Sequence, residues 1–140
     1  MTNLLTSPTI DRRRRRPMIA AVSKHQELRL SSEWRAAEAV TVASAAGDVD
    51  AANADSFLDY ILRKALVGRG LVLDLTAVTF FSAAGYASLL TLDERCARAG
   101  VIWTTVPGPP VVRIVRICDV KDQLPIAESV HDALVAFSGR

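Results

Sequence analysis

Several kinds of functional site are missing from this sequence of 140 residues. It has no phosphate-binding P-loop and no GxGxxG dinucleotide motif, so neither type of nucleotide-dependent enzyme is indicated. Only two cysteines and two histidines are present, and the cysteines are spaced neither as metal ligands nor as a disulfide framework. These absences predict a protein that is not an enzyme and that uses no metal or cofactor.

Long apolar runs are also missing. No run approaches the roughly 20 residues needed to cross a bilayer, and the first residues lack the apolar stretch of a secretory signal. We therefore expect a cytoplasmic protein with no membrane partner. Hydrophobic residues make up 50% of the chain and charged residues 23%. This composition suits one compact domain with a substantial core.

Charge is distributed unevenly along the chain. Residues 1–25 carry +5, largely from five consecutive arginines, Arg12 to Arg16, and subtracting this from the total of +2 leaves −3 for the rest. The lack of periodicity predicts a flexible basic arm at 1–26, followed by a folded domain at 27–138. The arm could contact nucleic acid. No aromatic residue is interleaved and no folded DNA-reading motif follows, so a solvated tail is the preferred interpretation.

The central stretch of the domain changes from strand-like to helical spacing. Leu-Val-Leu-Asp-Leu at 71–75 is a short apolar run that predicts a buried strand, and 78–81 is a second extended piece. Small residues follow, Ser-Ala-Ala-Gly at 82–85, and from Gly85 onward apolar residues recur at helical intervals. The predicted helix start offers unpaired backbone N–H groups, which suit a phosphate or a protein partner.

Strands and helices alternate through the rest of the domain. Alternation of this kind indicates βαβ crossovers, so the predicted fold is α/β, with a mostly parallel sheet of four to five strands and about four helices. Further strands are predicted at 28–30, 39–43, 101–106 and 124–127, with a polar turn at 33–38 between the first two. Further helices are predicted at 51–66 with Asp50 as N-cap, at 111–118 with Arg113 and Arg116 pointing away from the core, and at 130–137 with Ser129 as cap.

Three segments taken together resemble the STAS family of bacterial anti-sigma factor antagonists. They are Gly-Asp-Val-Asp at 47–50, the strand at 71–75, and Phe-Phe-Ser-Ala-Ala-Gly at 80–85. The similarity extends over about residues 27–137 in element order and spacing. It implies a STAS-like domain that binds a kinase-type anti-sigma factor and so frees a sigma factor to regulate transcription, as in a stress response.

The resemblance also implies a phosphorylation switch at the start of the second helix. Alignment on Gly85 places Ser82 where the family has aspartate, Ala83 at the phosphorylated serine, and Ala84 at the next serine. Because Ala83 has no hydroxyl, we expect the usual switch to be lost. The protein would then be a permanently unmodified antagonist, be controlled by another means, or bind another partner. Ser82 is a poor substitute acceptor, because a shift of one residue redirects the side chain.

The resemblance further implies which residues face a partner. Asp48 and Asp50 match an acidic loop of the family, although Asp50 also suits a helix cap. Asp74 matches a family aspartate at a strand end, where turn formation is the simpler role. Tyr86 would be an interface anchor or a cover for the edge of the core. The predicted partner-binding residues are Asp48, Asp50, Ser82, Ala83, Ala84, Gly85 and Tyr86.

Two further hypotheses concern regulation and ligands. Cys96 and Cys118 both lie on the inward stripes of their predicted helices, so an oxidised pair could replace the missing switch. A buried free cysteine is nevertheless commoner in a cytoplasmic protein. Alternatively, the helix start could hold a nucleotide or small anion, which would make the domain a ligand-sensing STAS module.

Overall fold

The computed structural model describes residues 25–119 and 122–139, so the arginines Arg12 to Arg16 lie outside the described residues. The chain alternates strands with helices as predicted. The elements are β1 (Arg29–Arg35), β2 (Val40–Val49), α1 (Ala54–Ala65), β3 (Gly70–Phe81), α2 (Ala83–Ala99), β4 (Ile102–Pro107), α3 (Pro109–Cys118) and α4 (Val130–Ser138).

The four strands form one sheet in the order β1-β2-β3-β4. β1 pairs antiparallel with β2, whereas β2 with β3 and β3 with β4 are parallel. The crossovers through α1 and α2 make the parallel pairs possible. The strand predicted at 124–127 is reduced to an isolated bridge between Thr105 and Ile126, and Pro125 has no N–H for a longer ladder. The predicted α/β fold with a mostly parallel sheet is confirmed.

Helices cover both faces of this sheet, but unequally. Adjacent residues of β3 point to opposite faces, with Leu73 in the larger core cluster and Val72 in the smaller one. The larger cluster contains Phe57 of α1, Leu89 of α2 and Val111 of α3. Among the described residues, α4 closes the smaller cluster together with Ala127. The predicted site therefore lies on the face that three helices cover.

Strand ends differ most from the prediction. β1 runs on to Arg35, through polar residues expected to form a turn, because each of them pairs with a residue of β2. The pieces predicted at 71–75 and 78–81 are one strand, β3. It continues past the expected break because its register with β2 shifts at Ser44/Ala46 and at Gly47/Asp48, as at a β-bulge.

Candidate functional site

The predicted site residues gather at the end of the sheet where β2 and β3 finish. Val49, the last residue of β2, pairs with Phe81, the last residue of β3. The backbone N–H of Ser82 then donates to the carbonyl of Val49 at 3.0 Å. The loop at 47–50 and the helix start at 82–86 are therefore neighbours, although more than 30 residues separate them in sequence.

The first turn of α2 presents small side chains to solvent. Ser82 is the N-cap, and its Oγ accepts from the N–H of Gly85 at 3.3 Å. This cap explains why the helix begins at Ala83 and not at Gly85. Ala83 is exposed, Ser82 and Ala84 are half-buried, and Gly85 is buried. A Cβ at Gly85 would lie 2.8 Å from the Phe81 ring, so glycine permits this close approach of helix and strand.

Asp48 lies one residue before the end of β2 and is only 8% exposed. Its Oδ1 accepts from the Thr79 hydroxyl at 2.6 Å, and its Oδ2 accepts from the Gln26 N–H at 3.1 Å. His25 Nδ1 lies 3.3 Å from Oδ2. The hydrogen bond from Thr79, opposed by burial and aided by Gln26 and His25, lowers the pKa of Asp48. Asp48 thus ties the residues before β1 to the sheet, an arrangement that does not favour its predicted direct contact with a partner.

Asp50 lies nearer the surface and shapes the loop before α1. Its Oδ1 accepts from the N–H groups of Ala52 and Asn53, at 2.9 and 3.1 Å. Asn53 in turn accepts from the N–H of Asp50 and donates to the carbonyl of Asp48, both at 2.9 Å. This turn occupies 51–53, so α1 begins three residues later than predicted and has Asn53 as its N-cap. Asp50 is half-buried, so part of it remains exposed to solvent.

Tyr86 joins the first turn of α2 to the end of α3. Its hydroxyl lies 3.3 Å from the carbonyl oxygen of Cys118 and 3.2 Å from Oδ1 of Asp119. Asp119 is 7% exposed and also accepts from the N–H groups of Gln123 and Leu124, both at 3.1 Å. Burial, followed by the bond with Asp119, raises the pKa of Tyr86. Tyr86 is half-buried and packs against the larger core cluster, a position compatible with either of its two predicted roles.

Within the described residues, the hydrogen bonds of the Asp74 side chain are local. Its Oδ1 accepts from the N–H of Thr76 at 3.0 Å and from the Thr76 hydroxyl at 2.7 Å. These bonds accompany the first register shift between β2 and β3. The side chain alternates with the buried Leu73 and Leu75, so it points to the face that α4 partly covers. Its geometry matches the structural role that the sequence favours.

The two cysteines lie near opposite ends of α2. Cys96 is 1% exposed in the last turns of the helix, whereas Cys118 approaches Tyr86 in the first turn. Ten residues separate Tyr86 from Cys96, or about 15 Å along a helix, while a disulfide needs Cα atoms within about 7 Å. Burial, and secondarily Asp93, raises the pKa of the Cys96 thiol to about 11. This arrangement does not favour the predicted redox pair, which mass spectrometry of peroxide-treated protein would test.

Two exposed apolar side chains near the site were not predicted. Phe80 is 51% exposed and Ile117 is 68% exposed. The register shift between Gly47 and Asp48 breaks the alternation that would otherwise signal which way Phe80 points. The outward direction of Arg113 and Arg116 was predicted, and both are exposed. The sequence does not indicate that α3 ends beside α2, because that placement depends on the contact of Tyr86 with the end of α3.

The described ranges contain neither a candidate membrane-spanning helix nor a candidate metal-binding cluster. There, no helix combines the length and apolar character needed to cross a membrane. In the same residues, no group of three or more His, Cys, Asp or Glu side chains is arranged to hold a metal ion.

The chain is similar in sequence to known proteins of one domain family. The STAS domain profile matches residues 32–133. Osmosensory protein A of Mycobacterium tuberculosis H37Rv is 40% identical over 98 residues, which cover 67% of this chain and only 62% of that relative. The anti-sigma-F factor antagonist RsfA of Mycobacterium tuberculosis is 30% identical over 103 residues, which cover 71% of this chain and 80% of the relative.

Solved structures share the fold at lower identity. An anti-sigma factor antagonist from Mycobacterium paratuberculosis has a TM-score of 0.66 at 23% identity, over 79% of this chain and 94% of that one. The unphosphorylated anti-sigma factor antagonist SpoIIAA has a TM-score of 0.64 at 12% identity, over 80% of this chain and 98% of that one. With the profile match and the relatives above, the chain belongs to the STAS domain family of anti-sigma factor antagonists.

Proposed function

We propose that this protein binds a kinase-type anti-sigma factor and so frees a sigma factor for transcription. The observation that carries the proposal is the exposed first turn of α2, whose outermost side chain is Ala83. A relative that is 30% identical is named as an antagonist of anti-sigma-F factor, which supports the same class of partner. Nothing in the proposal requires an enzymatic activity of the chain itself.

The proposed contact surface consists of the loop before α1 and the first turn of α2. Small side chains there let a partner approach the helix backbone closely, and depletion of charge is typical of the core of an interface. Asp48 acts from below, because its carbonyl accepts from Asn53 and so fixes the turn around Asp50. Gly85 lets α2 pack against Phe81. The surface residues are Asp50, Ser82, Ala83, Ala84 and the exposed edge of Tyr86.

The proposed antagonist is insensitive to phosphorylation at the start of α2. Ala83 has no hydroxyl, and methyl and unphosphorylated hydroxymethyl groups are similar in size and equally uncharged. The neighbouring Ser82 hydroxyl is half-buried and caps the helix, so modifying it would remove that cap. The protein would therefore remain in its binding form, and release of the sigma factor would depend on another step.

Calorimetric titration against each purified anti-sigma kinase encoded in the same genome tests this function. We expect wild-type protein to bind at least one of them with a Kd of about 1 μM or tighter. Ala83→Glu should weaken that complex by about a hundredfold or more, because it buries an unpaired charge in the contact. A glutamate in the first helical turn does not oppose the helix dipole, so the loss would not reflect unfolding.

Ala97→Glu provides the matched control. Ala97 is exposed on the same helix at its opposite end, so this variant should bind like wild type. If wild type binds none of the kinases, the proposed function is wrong. In that case, thermal stabilisation by ATP or GTP would support the ligand-sensing alternative. A complex that tolerates Ala83→Glu would place the interface elsewhere on the domain.

A further inference from the structure

The outer face of α3 is both basic and apolar. Arg113, Arg116 and Ile117 are exposed, and 68% of the Ile117 surface is open to solvent. Together with Pro109 and Val112 they line an open groove of about 420 Å³. An isoleucine so exposed contributes nothing to the core, so packing of the domain does not account for this surface.

Neither Arg113 nor Arg116 forms an ion pair within the described part of the chain. Arg63 and Arg98, in contrast, each pair with a carboxylate four residues earlier in the same helix, at 2.9 and 3.3 Å. α3 contains no acidic residue. The adjacent Asp119 directs its oxygens to the Tyr86 hydroxyl and to backbone N–H groups. The positive charge of α3 therefore has no counterpart among its described neighbours.

The last turn of α3 adjoins the proposed contact surface. The contacts of the Tyr86 hydroxyl with Cys118 and Asp119 hold the last turn of α3 against the first turn of α2. Asp119 is buried and accepts from the N–H groups of Gln123 and Leu124. A protein seated on Ala83 would therefore have the end of α3 directly beside it.

We propose that Arg113, Arg116 and Ile117 form a second contact region for the same anti-sigma factor, and that the partner presents a cluster of carboxylates around an apolar residue there. This inference rests on the proposed function. Guanidinium groups bind carboxylates through paired hydrogen bonds, while burial of Ile117 excludes water from those pairs. The chemistry of α3 thus specifies an acidic surface on the anti-sigma factor.

The number of charges favours a protein over other anionic partners. Each basic residue contributes only about 1 kcal/mol at an anionic membrane surface, so two arginines bind a membrane weakly. A nucleic-acid interface uses a larger basic surface that tracks successive phosphates. A compact pair of arginines next to one isoleucine is matched better by a few carboxylates around an apolar contact.

Charge reversal on α3 tests the inference with the anti-sigma kinase that binds the wild-type protein. We expect Arg113→Glu/Arg116→Glu to lower the association rate by about tenfold or more at low salt, with a smaller effect at high salt, because electrostatic steering is screened. Ile117→Ala should raise the dissociation rate severalfold. Stopped-flow and surface-binding measurements at two salt concentrations supply both rates.

Arg95→Glu/Arg98→Glu is the matched control, because it makes the same charge change on an exposed face far from Ala83. It should leave both rates near those of wild type. The milder Arg113→Gln/Arg116→Gln variant, compared by thermal unfolding, guards against a folding defect and should show a smaller loss of association rate in the same direction.

The outcomes separate this inference from the function on which it rests. If Ala83→Glu abolishes binding while charge reversal on α3 changes neither rate, the α3 inference is overturned and the proposed function stands. If wild type binds no anti-sigma kinase, both are overturned. Two assays test the other partners: sedimentation of wild type with phosphatidylglycerol vesicles, and retardation of duplex DNA by wild type. If charge reversal on α3 eliminates either interaction but leaves the kinase complex unchanged, the α3 inference is overturned in favour of a membrane or a nucleic acid.

Discussion

The two ends of α2 use their polar side chains in different ways. At the N-terminal end, called the first end below, polar groups turn inward. Ser82 caps the helix and Tyr86 contacts the end of α3. The buried Asp48 and Asp119 accept from backbone N–H groups. What remains outside is a methyl group, that of Ala83.

At the C-terminal end of α2, polar groups turn outward. Glu94 and Arg98 pair with each other on the helix surface at 3.3 Å, both more than 60% exposed. The helix then stops at Gly100, whose φ of 72° is left-handed and places no strain on a residue without a Cβ. Exposed pairs of this kind contribute at most about 1 kcal/mol and are typical of a solvated helix.

This difference supports the first end of α2 as part of the proposed contact surface. Hydrogen bonds from polar side chains to the backbone make the first turn of α2 rigid, and its small outer side chains leave that turn uncharged beside Asp50. A rigid and uncharged surface is favourable for association because little has to be ordered or desolvated. The predictions below alter one end of α2 and use the other end, or another exposed site, as the control.

The largest effect is expected from giving the first end a phosphate acceptor. With ATP and the anti-sigma kinase that binds it, Ala83→Ser should gain one phosphate at this serine and lose most of its affinity, because nearly two negative charges enter the contact. Wild type should gain none there. Ala97→Ser, exposed at the other end, should stay unmodified. Intact-mass and peptide mass spectrometry give the result, and phosphate on wild-type Ser82 would contradict the prediction.

An intermediate effect is expected from Asp48→Asn, which removes the charge beneath the first end. An amide cannot accept from both Thr79 and Gln26 as the carboxylate does, so the free energy of unfolding should fall by about 1–3 kcal/mol. The folded pKa of Asp48 lies below its ordinary value of 3.8. The charge therefore stabilises the fold above that value, and the stabilisation is lost as the pH falls through the folded pKa.

Urea unfolding between neutral pH and pH of about 3 checks this prediction, because wild type should converge toward Asp48→Asn as the pH falls. Asp59→Asn is the control, since Asp59 forms only an exposed pair with Arg63 and should change stability by less than about 0.5 kcal/mol. Parallel curves for wild type and Asp48→Asn at every pH would show that the Asp48 charge is not involved.

The helices of this fold could be predicted from the sequence because their signals are local. Apolar spacing locates α2, α3 and α4, and Ser129 caps α4 as predicted by accepting from the N–H of Asp132 at 3.0 Å. The full extent of β1 could not be predicted, since its residues up to Arg35 are mostly exposed and polar. They form a strand only because β2 pairs with them, a contact that no local pattern records.

The site was predictable in position but not in the role of each residue. Small residues between a strand and a helix locate the first turn of α2. Asp48 and Asp50 look equivalent in sequence, yet Asp48 is buried because Gln26 and Thr79 come to it from distant parts of the chain. Similarly, the outward side of α3 was predictable, but its place beside Tyr86 depends on tertiary packing.

The smallest effect is expected from Tyr86→Phe, which keeps the ring and removes only the hydroxyl at the first end. Loss of its bond to α3 should lower stability by about 0.5–1.5 kcal/mol. The pKa of Tyr86 is raised, so its contribution is complete below the ordinary value of 10 and is lost as the pH rises through the folded pKa. Tyr60→Phe is the control, because the Tyr60 hydroxyl forms only an exposed bond of 3.3 Å to Ser32. In a titration of tyrosinate absorbance, Tyr86→Phe should remove a group that ionises above pH of about 10. Removal of a group that ionises at or below that pH would mean that α3 does not close over Tyr86 in solution.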